Sequence, residues 1–393
     1  MTLSRRSTLG YIEGTDAILA AMHALIDAAR ESLILQMNLF AGNGDQTLLL
    51  AREGARSDAA VVAGWLVAKK RAFPAMPIVA ILDSNTPSDS RKTRRQGKLV
   101  REMLVEAGVV VLTANLFGTR FDRGPHILRR KNFHEDFARV PVERWVEHQY
   151  RWQVLHNVED HRKNLVVDAG RAALVTSHNL IDPAFDWHEN AFLLGGDAAY
   201  DLAQASAVAL SKALAIPQPI DQDTRRSLDR LTSEWAAMSP GARHEPLELG
   251  VPVVRDDTAC VVENAAILAR VLELVSGSPP GSTLLVATTY LSDVKVFEAL
   301  VHAARRGVCT RVLIDSIDAL PLPAVPSWLA RSLVNHRVSV AAQRAMQELP
   351  SHLDVRVHHS TNGQMMHLKT IARLGDRPRL VGGQANFTYP FTG

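Results

Sequence analysis

Two segments, one in each half of the chain, carry the same polar residues in the same order, and this duplication constrains the fold more than any other feature. The first is His161-Arg-Lys163, with Asn179 standing 18 positions after its histidine; the second is His367-Leu-Lys369, with Asn386 standing 19 positions after His367. Self-similarity of this kind means that one structural unit is built twice. Each segment reads as a hairpin. In the first, an apolar run through Val167 turns at Asp168-Ala169-Gly170-Arg171 and returns as Ala172 to Thr176. In the second, the turn is Gly375-Asp376-Arg377-Pro378 and the return is Leu380 to Gly383. Residues two apart on a strand share a face, so His161 and Lys163 point the same way. Folding about Gly170 brings Asn179 back opposite His161, which gathers an imidazole, an ammonium and a carboxamide in one short segment.

The residues ahead of each hairpin follow one recipe. Helical spacing at Asp16 to Arg30, Val61 to Phe73 and Lys98 to Ala107 alternates with apolar runs at Leu33 to Phe40, Ile78 to Asp83 and Val109 to Ala114. The second half repeats this with helices at Asn264 to Val275, Val294 to Arg306 and Trp328 to Glu348, and strands at Thr283 to Tyr290, Thr310 to Asp315 and Leu353 to Val357. Alternation of this type predicts two pseudo-symmetric α/β lobes, each with a mixed, mostly parallel sheet flanked by helices. The proline-rich stretch 216–254 reads as a linker with one helix from about Thr224 to Met238. The expected division is therefore 1–215, a first lobe with an insertion at about 116–150, and 255–393, a second lobe.

The bulk numbers narrow the function classes. Hydrophobic residues make up 47% and charged residues 22%, so the chain can bury a sizeable core. A net charge of +3 is small for this length, so any affinity for a polyanion must come from local clusters. Two such clusters stand out as candidate anion-binding sites: Arg91, Lys92, Arg94 and Arg95 in one, and Arg129, Arg130 and Lys131 in the other. Clusters of this kind suit anionic lipid surfaces or nucleic-acid phosphates; the bland alternative is a solvated loop. Cys260 and Cys309 have no paired spacing, which argues against a disulfide framework. The histidines His156, His161, His188, His358 and His359 match no zinc pattern, so no metal and no cofactor is expected. With neither a signal peptide nor an apolar run of about 18 residues, a cytoplasmic protein, soluble or peripherally bound at the membrane, is the expectation.

Two triads of His, Lys and Asn suit phosphoryl transfer. A neutral imidazole can attack phosphorus and form a phosphohistidine. A second, protonated imidazole can protonate the departing alkoxide and then activate water or an alcohol. Lysines and carboxamides can hold the non-bridging oxygens in the role often taken by Mg²⁺.

The duplicated His-x-Lys-x4-Asp pattern with its downstream Asn resembles the signature of the phospholipase D superfamily. The likeness runs from about Gly14 to the C-terminus outside the two insertions. The stretch Glu298-Ala-Leu-Val-His-Ala-Ala-Arg-Arg-Gly-Val-Cys-Thr-Arg-Val-Leu-Ile-Asp315 is similar to the bacterial cardiolipin synthase and phosphatidyltransferase branch. The resemblance implies a phosphodiesterase or phosphatidyltransferase acting on phospholipid without metal, with one active site between the lobes. Metal-independent nucleases also belong to the superfamily, and a catalytically degraded binder of anionic lipid or nucleic acid is a third reading. In the family the motif Asp is mainly structural, which makes Asp168 structural support; the second motif has Leu374 at that position, with Asp376 two residues later. The family also places an acidic residue about 28 positions after each motif histidine, where it holds the imidazole. Glu189 stands at that distance from His161, whereas the position after His367 falls beyond Gly393, so the second lobe is expected to lack its C-terminal end. On this basis the catalytic set is His161, Lys163, Asn179, Glu189, His367, Lys369 and Asn386, with His161 as nucleophile and His367 as general acid and base.

Overall fold

The run Leu33–Met37 is apolar enough to be buried on both faces, the type of strand that a sheet covered by helices on each side requires. It lies at the heart of the first sheet in the computed structural model, which describes residues 6–38, 40–41, 57–82, 91–114, 162–181, 187–215, 218–239, 252–255, 259–262, 265–291, 293–315, 336–359 and 365–384. These fall into two units, divided between Val261 and Val262.

The first unit contains strands β1 (Ser7–Glu13), β2 (Leu33–Met37), β3 (Phe40–Ala41), β4 (Ile78–Leu82), β5 (Val110–Thr113), β6 (Lys163–Val167), β7 (Ala172–Thr176), β8 (Leu180–Ile181), β9 (Asn190–Gly196) and β10 (Val254–Arg255). Its helices are α1 (Thr15–Ala28), α2 (Asp58–Ala72), α3 (Arg91–Glu106), α4 (Asp197–Leu214) and α5 (Gln222–Ala237). The main sheet runs β10-β1-β9-β7-β6-β2-β4-β5. Strands β2, β4 and β5 are parallel, and the remaining neighbours are antiparallel. The mixed sheet flanked by helices is as expected, but parallel pairs are the minority in it, a correction to the expectation of a mostly parallel sheet. The motif strands return through four-residue turns, far too short for a parallel crossover, and so add antiparallel pairs.

Helix α1 buries Ile18, Leu19, Met22, Leu25 and Ile26, one apolar stripe at helical spacing. With α2 it covers the face of the sheet that carries Leu33, Leu35 and Met37. The opposite face, with Ile34, Val79 and Val166, is covered by α4 and by Leu228, Leu231 and Trp235 of α5. Helix α5, expected inside a linker, thus packs into the first core. Gly170 shows how closely α4 approaches: at φ +89° it adopts a conformation that L side chains rarely take, and an added Cβ would lie 3.0 Å from Ala199 O.

The second unit contains α6 (Ala265–Ser276), β11 (Thr283–Thr288), α7 (Val294–Arg305), β12 (Cys309–Asp315), α8 (His336–Glu348), β13 (Leu353–His358), β14 (Lys369–Leu374) and β15 (Arg379–Gly382). Its sheet runs β13-β12-β11-β14-β15, with β11, β12 and β13 parallel and the β14–β15 hairpin antiparallel. This reproduces the β7-β6-β2-β4-β5 portion of the first sheet strand for strand. One face packs on α6 and α7 through Leu284, Val286, Val312, Ile314 and Ile371. On the other face Leu285, Leu374 and Leu380 are exposed.

The two hairpin turns are tied down by opposite chemistry. Asp168, buried and at φ 48°, accepts hydrogen bonds from the backbone N–H groups of Arg30 (3.0 Å), Glu31 (2.7 Å) and Ser32 (3.1 Å). It thereby fastens the β6–β7 turn to the α1–β2 connection. In the second unit Arg373 donates instead, to Gly277 O (3.1 Å) on the α6–β11 connection and to Arg377 O (2.7 Å) in the turn. Leu374, where the first hairpin would lead one to expect a carboxylate, is exposed. Replacing Asp168 by Ala removes the acceptor of three backbone amides, of which that of Ser32 is buried, and should cost about 2–4 kcal/mol in urea denaturation, whereas Asp376→Ala on the exposed turn should stay within about 0.5 kcal/mol.

Candidate functional site

In both units the motif lysine opens the first hairpin strand and faces the last residue of the neighbouring antiparallel strand. Lys163 pairs with Met37 at the end of β2, and Lys369 pairs with Thr288 at the end of β11. Both are buried, with exposures of 0% and 1%. Two ammonium groups held out of solvent at equivalent strand positions are costly, and such groups in proteins are paired or functional. Lys369 Nζ donates to His367 O (2.8 Å), which fixes the backbone of the motif histidine; His367 itself is 5% exposed. His161 and Asn386 lie outside the described residues, as do Arg129, Arg130, Lys131 and the expected insertion at 116–150. Arg91, Lys92, Arg94 and Arg95 fall in the first turns of α3, which begins seven residues earlier than the helical pattern from Lys98 predicts.

Asn179 and Glu189 come to the same end of the first sheet as Lys163. Thr176 pairs with Ala191 and Asn164 with Val175, so the segments after β7 and before β9 meet beside the start of β6. Ser177 locks them together: its backbone N–H donates to Asn190 O (2.9 Å), and its Oγ accepts from Asn190 N (2.9 Å). The same hydroxyl donates to Glu189 Oε2. Asn179 is 4% exposed, and its Oδ1 has no hydrogen-bond partner among the described residues. Asp168 stands apart, at the other end of β6, about 17 Å from Lys163 at roughly 3.4 Å per strand residue.

Sequence reasoning missed several groups. His178 is fully buried, with Nε2 3.0 Å from Asp58 Oδ2 and Nδ1 3.7 Å from Glu189 Oε1. Burial alone pushes its imidazole down, but the hydrogen bond to Asp58, helped by the Glu189 charge, outweighs that and raises it to about 9. In the second unit Asp315, at the end of β12, accepts from Met366 N (3.1 Å) through Oδ2 and contacts His358 Nδ1 (3.2 Å) through Oδ1. It therefore holds the residue immediately before His367. Burial, and secondarily the Asp315 carboxylate, push the Tyr290 phenol up, so it stays protonated. Nothing in the local sequence around Asp58 marks it; Asp315, closing an apolar strand, carried the only available signal.

The comparisons with known proteins agree with this geometry. Residues 278–391 match the family described as cardiolipin synthase, PLD-like domain, a span that includes all of β11 to β15. No curated protein matches the chain by sequence. Among solved structures, the phosphatidylserine synthase of Haemophilus influenzae has a TM-score of 0.55 at 9% identity, covering 92% of this chain and 75% of that one. The polyphosphate kinase of Porphyromonas gingivalis (TM-score 0.46, 11% identity) covers 97% of this chain, which spans only 46% of that kinase's length. Nuc, a phospholipase D family member from Salmonella typhimurium, has a TM-score of 0.31 at 14% identity over 53% of this chain and 93% of its own. Residues 278–391 thus resemble a cardiolipin synthase-type, PLD-like domain, and the mixed α/β fold of the chain is similar to that of the phosphatidylserine synthase.

The raised value at His178 has a consequence for stability. A group whose folded value lies above its unfolded 6.5 stabilises the fold fully below that pH and loses the contribution as pH rises through about 9. The free energy of unfolding should therefore fall across this window by on the order of 3 kcal/mol, and His178→Gln should flatten the slope in urea titrations at each pH.

Proposed function

We propose that the protein is a phospholipid phosphodiesterase or phosphatidyltransferase that works through a covalent phosphohistidine. The observation that carries this reading is the pair of buried lysines, Lys163 and Lys369, set at equivalent positions of two hairpins that each bear a motif histidine. Fixed ammonium groups stabilise charge that develops on non-bridging phosphoryl oxygens, and they do so most effectively where water is excluded. Asn179, whose carboxamide oxygen has no partner among the described residues, would orient either the nucleophile or a substrate hydroxyl. His161 acts as nucleophile with Glu189 behind it. His367 protonates the leaving alkoxide and then takes a proton from the water or alcohol that resolves the adduct.

The match of residues 278–391 to the cardiolipin synthase family supports phospholipid as substrate, and the basic start of α3 suits an anionic membrane surface. Nucleic acid is the second substrate to test. No divalent ion is required by this scheme because the lysines supply the positive charge. Turnover should accordingly survive excess EDTA; complete loss on chelation with recovery on adding a divalent ion would overturn it. A panel of phosphatidylglycerol, cardiolipin, phosphatidylcholine and single-stranded DNA sorts the substrates.

The lysines and the covalent step have separate tests. Lys163→Met or Lys369→Met should each lower kcat by about 10²- to 10³-fold, corresponding to about 3–4 kcal/mol of lost transition-state stabilisation. With a p-nitrophenyl phosphodiester, whose leaving group needs no proton, His367→Ala should accumulate an adduct on His161 that survives an alkaline quench and is mapped by mass spectrometry. An adduct on His367 in the His161→Ala protein would reverse the two roles.

A further inference from the structure

Behind the first motif lies a chain of three buried ionisable groups, two of which, Asp58 and His178, the reaction scheme does not use. Asp58 opens α2, whose N-cap Ser57 accepts from Ala60 N (3.4 Å), so its carboxylate sits at the positive end of that helix. Its Oδ2 is 3.0 Å from His178 Nε2, while His178 Nδ1 is 3.7 Å from Glu189 Oε1. Asp58 is 1% exposed, and His178 and Glu189 are 0% exposed. The backbone of His178 is held as well, its N–H donating to Thr176 Oγ1 (3.0 Å). The two carboxylates lie at opposite edges of one imidazole ring, so no single point is within reach of all three groups. A metal site is therefore a poor account of the cluster, and no group of residues suited to a metal occurs among the described residues.

Two buried carboxylates on either side of a neutral ring would be strongly unfavourable; a cation between them makes the arrangement tenable. We propose that Asp58 and His178 are positioning residues, an imidazolium relay that fixes Glu189 and moderates the negative charge it presents to the motif histidine. The inference rests on the reading of His161 and Glu189 given above. The charged groups facing His178 are Asp58 from α2 and Glu189 from the segment before β9; Thr176 and Ser177 add neutral hydroxyls.

The relay has a direct chemical consequence. Glu189 is shared between His178 and Ser177, so on the reading given above it exerts only part of its charge on the motif histidine. Removing the His178 charge leaves the full carboxylate to act on His161, which becomes more basic and is protonated over more of the pH range.

The test uses the full chain with ¹⁵N-labelled histidine. Long-range ¹H–¹⁵N spectra should show His178 protonated at both nitrogens at pH 7.5, and Asp58→Asn should move its titration down towards the ordinary value near 6.5. In His178→Gln the titration of His161 should move up by on the order of one pH unit, and the acid limb of the kcat/KM profile on the p-nitrophenyl phosphodiester should move with it. A His178 ring singly protonated at pH 7.5 in the unaltered protein overturns the relay. So does a His178→Gln profile that superimposes on the original while only the melting temperature falls, since that marks a structural role. Should His178→Gln fail to fold, the spectra of the unaltered protein and of Asp58→Asn decide the matter. If no phosphodiester is turned over, the proposed reaction falls, yet the His178 and His161 titrations still decide the relay.

Discussion

Asp168 accepts three backbone hydrogen bonds from consecutive residues, and the position of the motif strand on its neighbour depends on that contact. The turn it opens has no intrinsic preference for its shape: Asp168 and Ala169 both adopt positive φ, at 48° and 54°, which non-glycine residues resist. The charge-assisted bonds offset that strain and bind the turn to the start of β2. With one end of β6 fixed, its register on β2 follows, from Val167 opposite Leu33 to Lys163 opposite Met37. A slip of one residue would move Lys163 to the other face of the sheet. The tie and the ammonium therefore stand at opposite ends of one strand and depend on each other.

Much of this was legible in the sequence because it is local and repeated. The central strands and most of their flanking helices announce themselves by apolar runs and helical spacing, and the duplicated motif marks which hairpins matter. The long-range elements did not announce themselves. Strand β1 contains Gly10 and only a partial alternation, and it is a strand because it pairs along its whole length with β9. Helix α5 lies in a proline-rich stretch that reads as a connection, yet Trp235 and its neighbours are buried. In the site, the residues carried by the motif were readable, whereas Asp58 was not. Its contact with His178 exists only because α2 packs beside β8 and points its first turn at that ring, across 120 positions of sequence.

Charge burial is the common theme of the first unit. Lys163, Asp58, Glu189, Asp168 and His178 are all removed from solvent, and each carries a folding cost that an apolar residue would avoid. Asp168 answers that cost with amides, and His178 with carboxylates on both sides. Apart from Asp168 at the other end of β6, these buried charges concentrate at the end of the sheet where Lys163, Asn179 and Glu189 converge, and the core beyond them is mostly Leu, Ile, Val and Ala. Polar groups are retained where chemistry is expected, and elsewhere packing is ordinary.

The contrast between Asp168 and Arg373 bears on how a duplicated fold drifts. Each half fastens its own turn with residues drawn from its own connection, so neither tie needs the other to persist. A lineage could lose the carboxylate from one copy once a guanidinium had taken over the bond, without disturbing its sister. The exchange is hard to reverse by single steps, because Asp168 requires amides aimed inward and Arg373 requires carbonyls. Two hairpins of the same topology are in this way non-interchangeable parts, and a chimera that transplanted one turn into the other half would meet backbone groups of the wrong polarity.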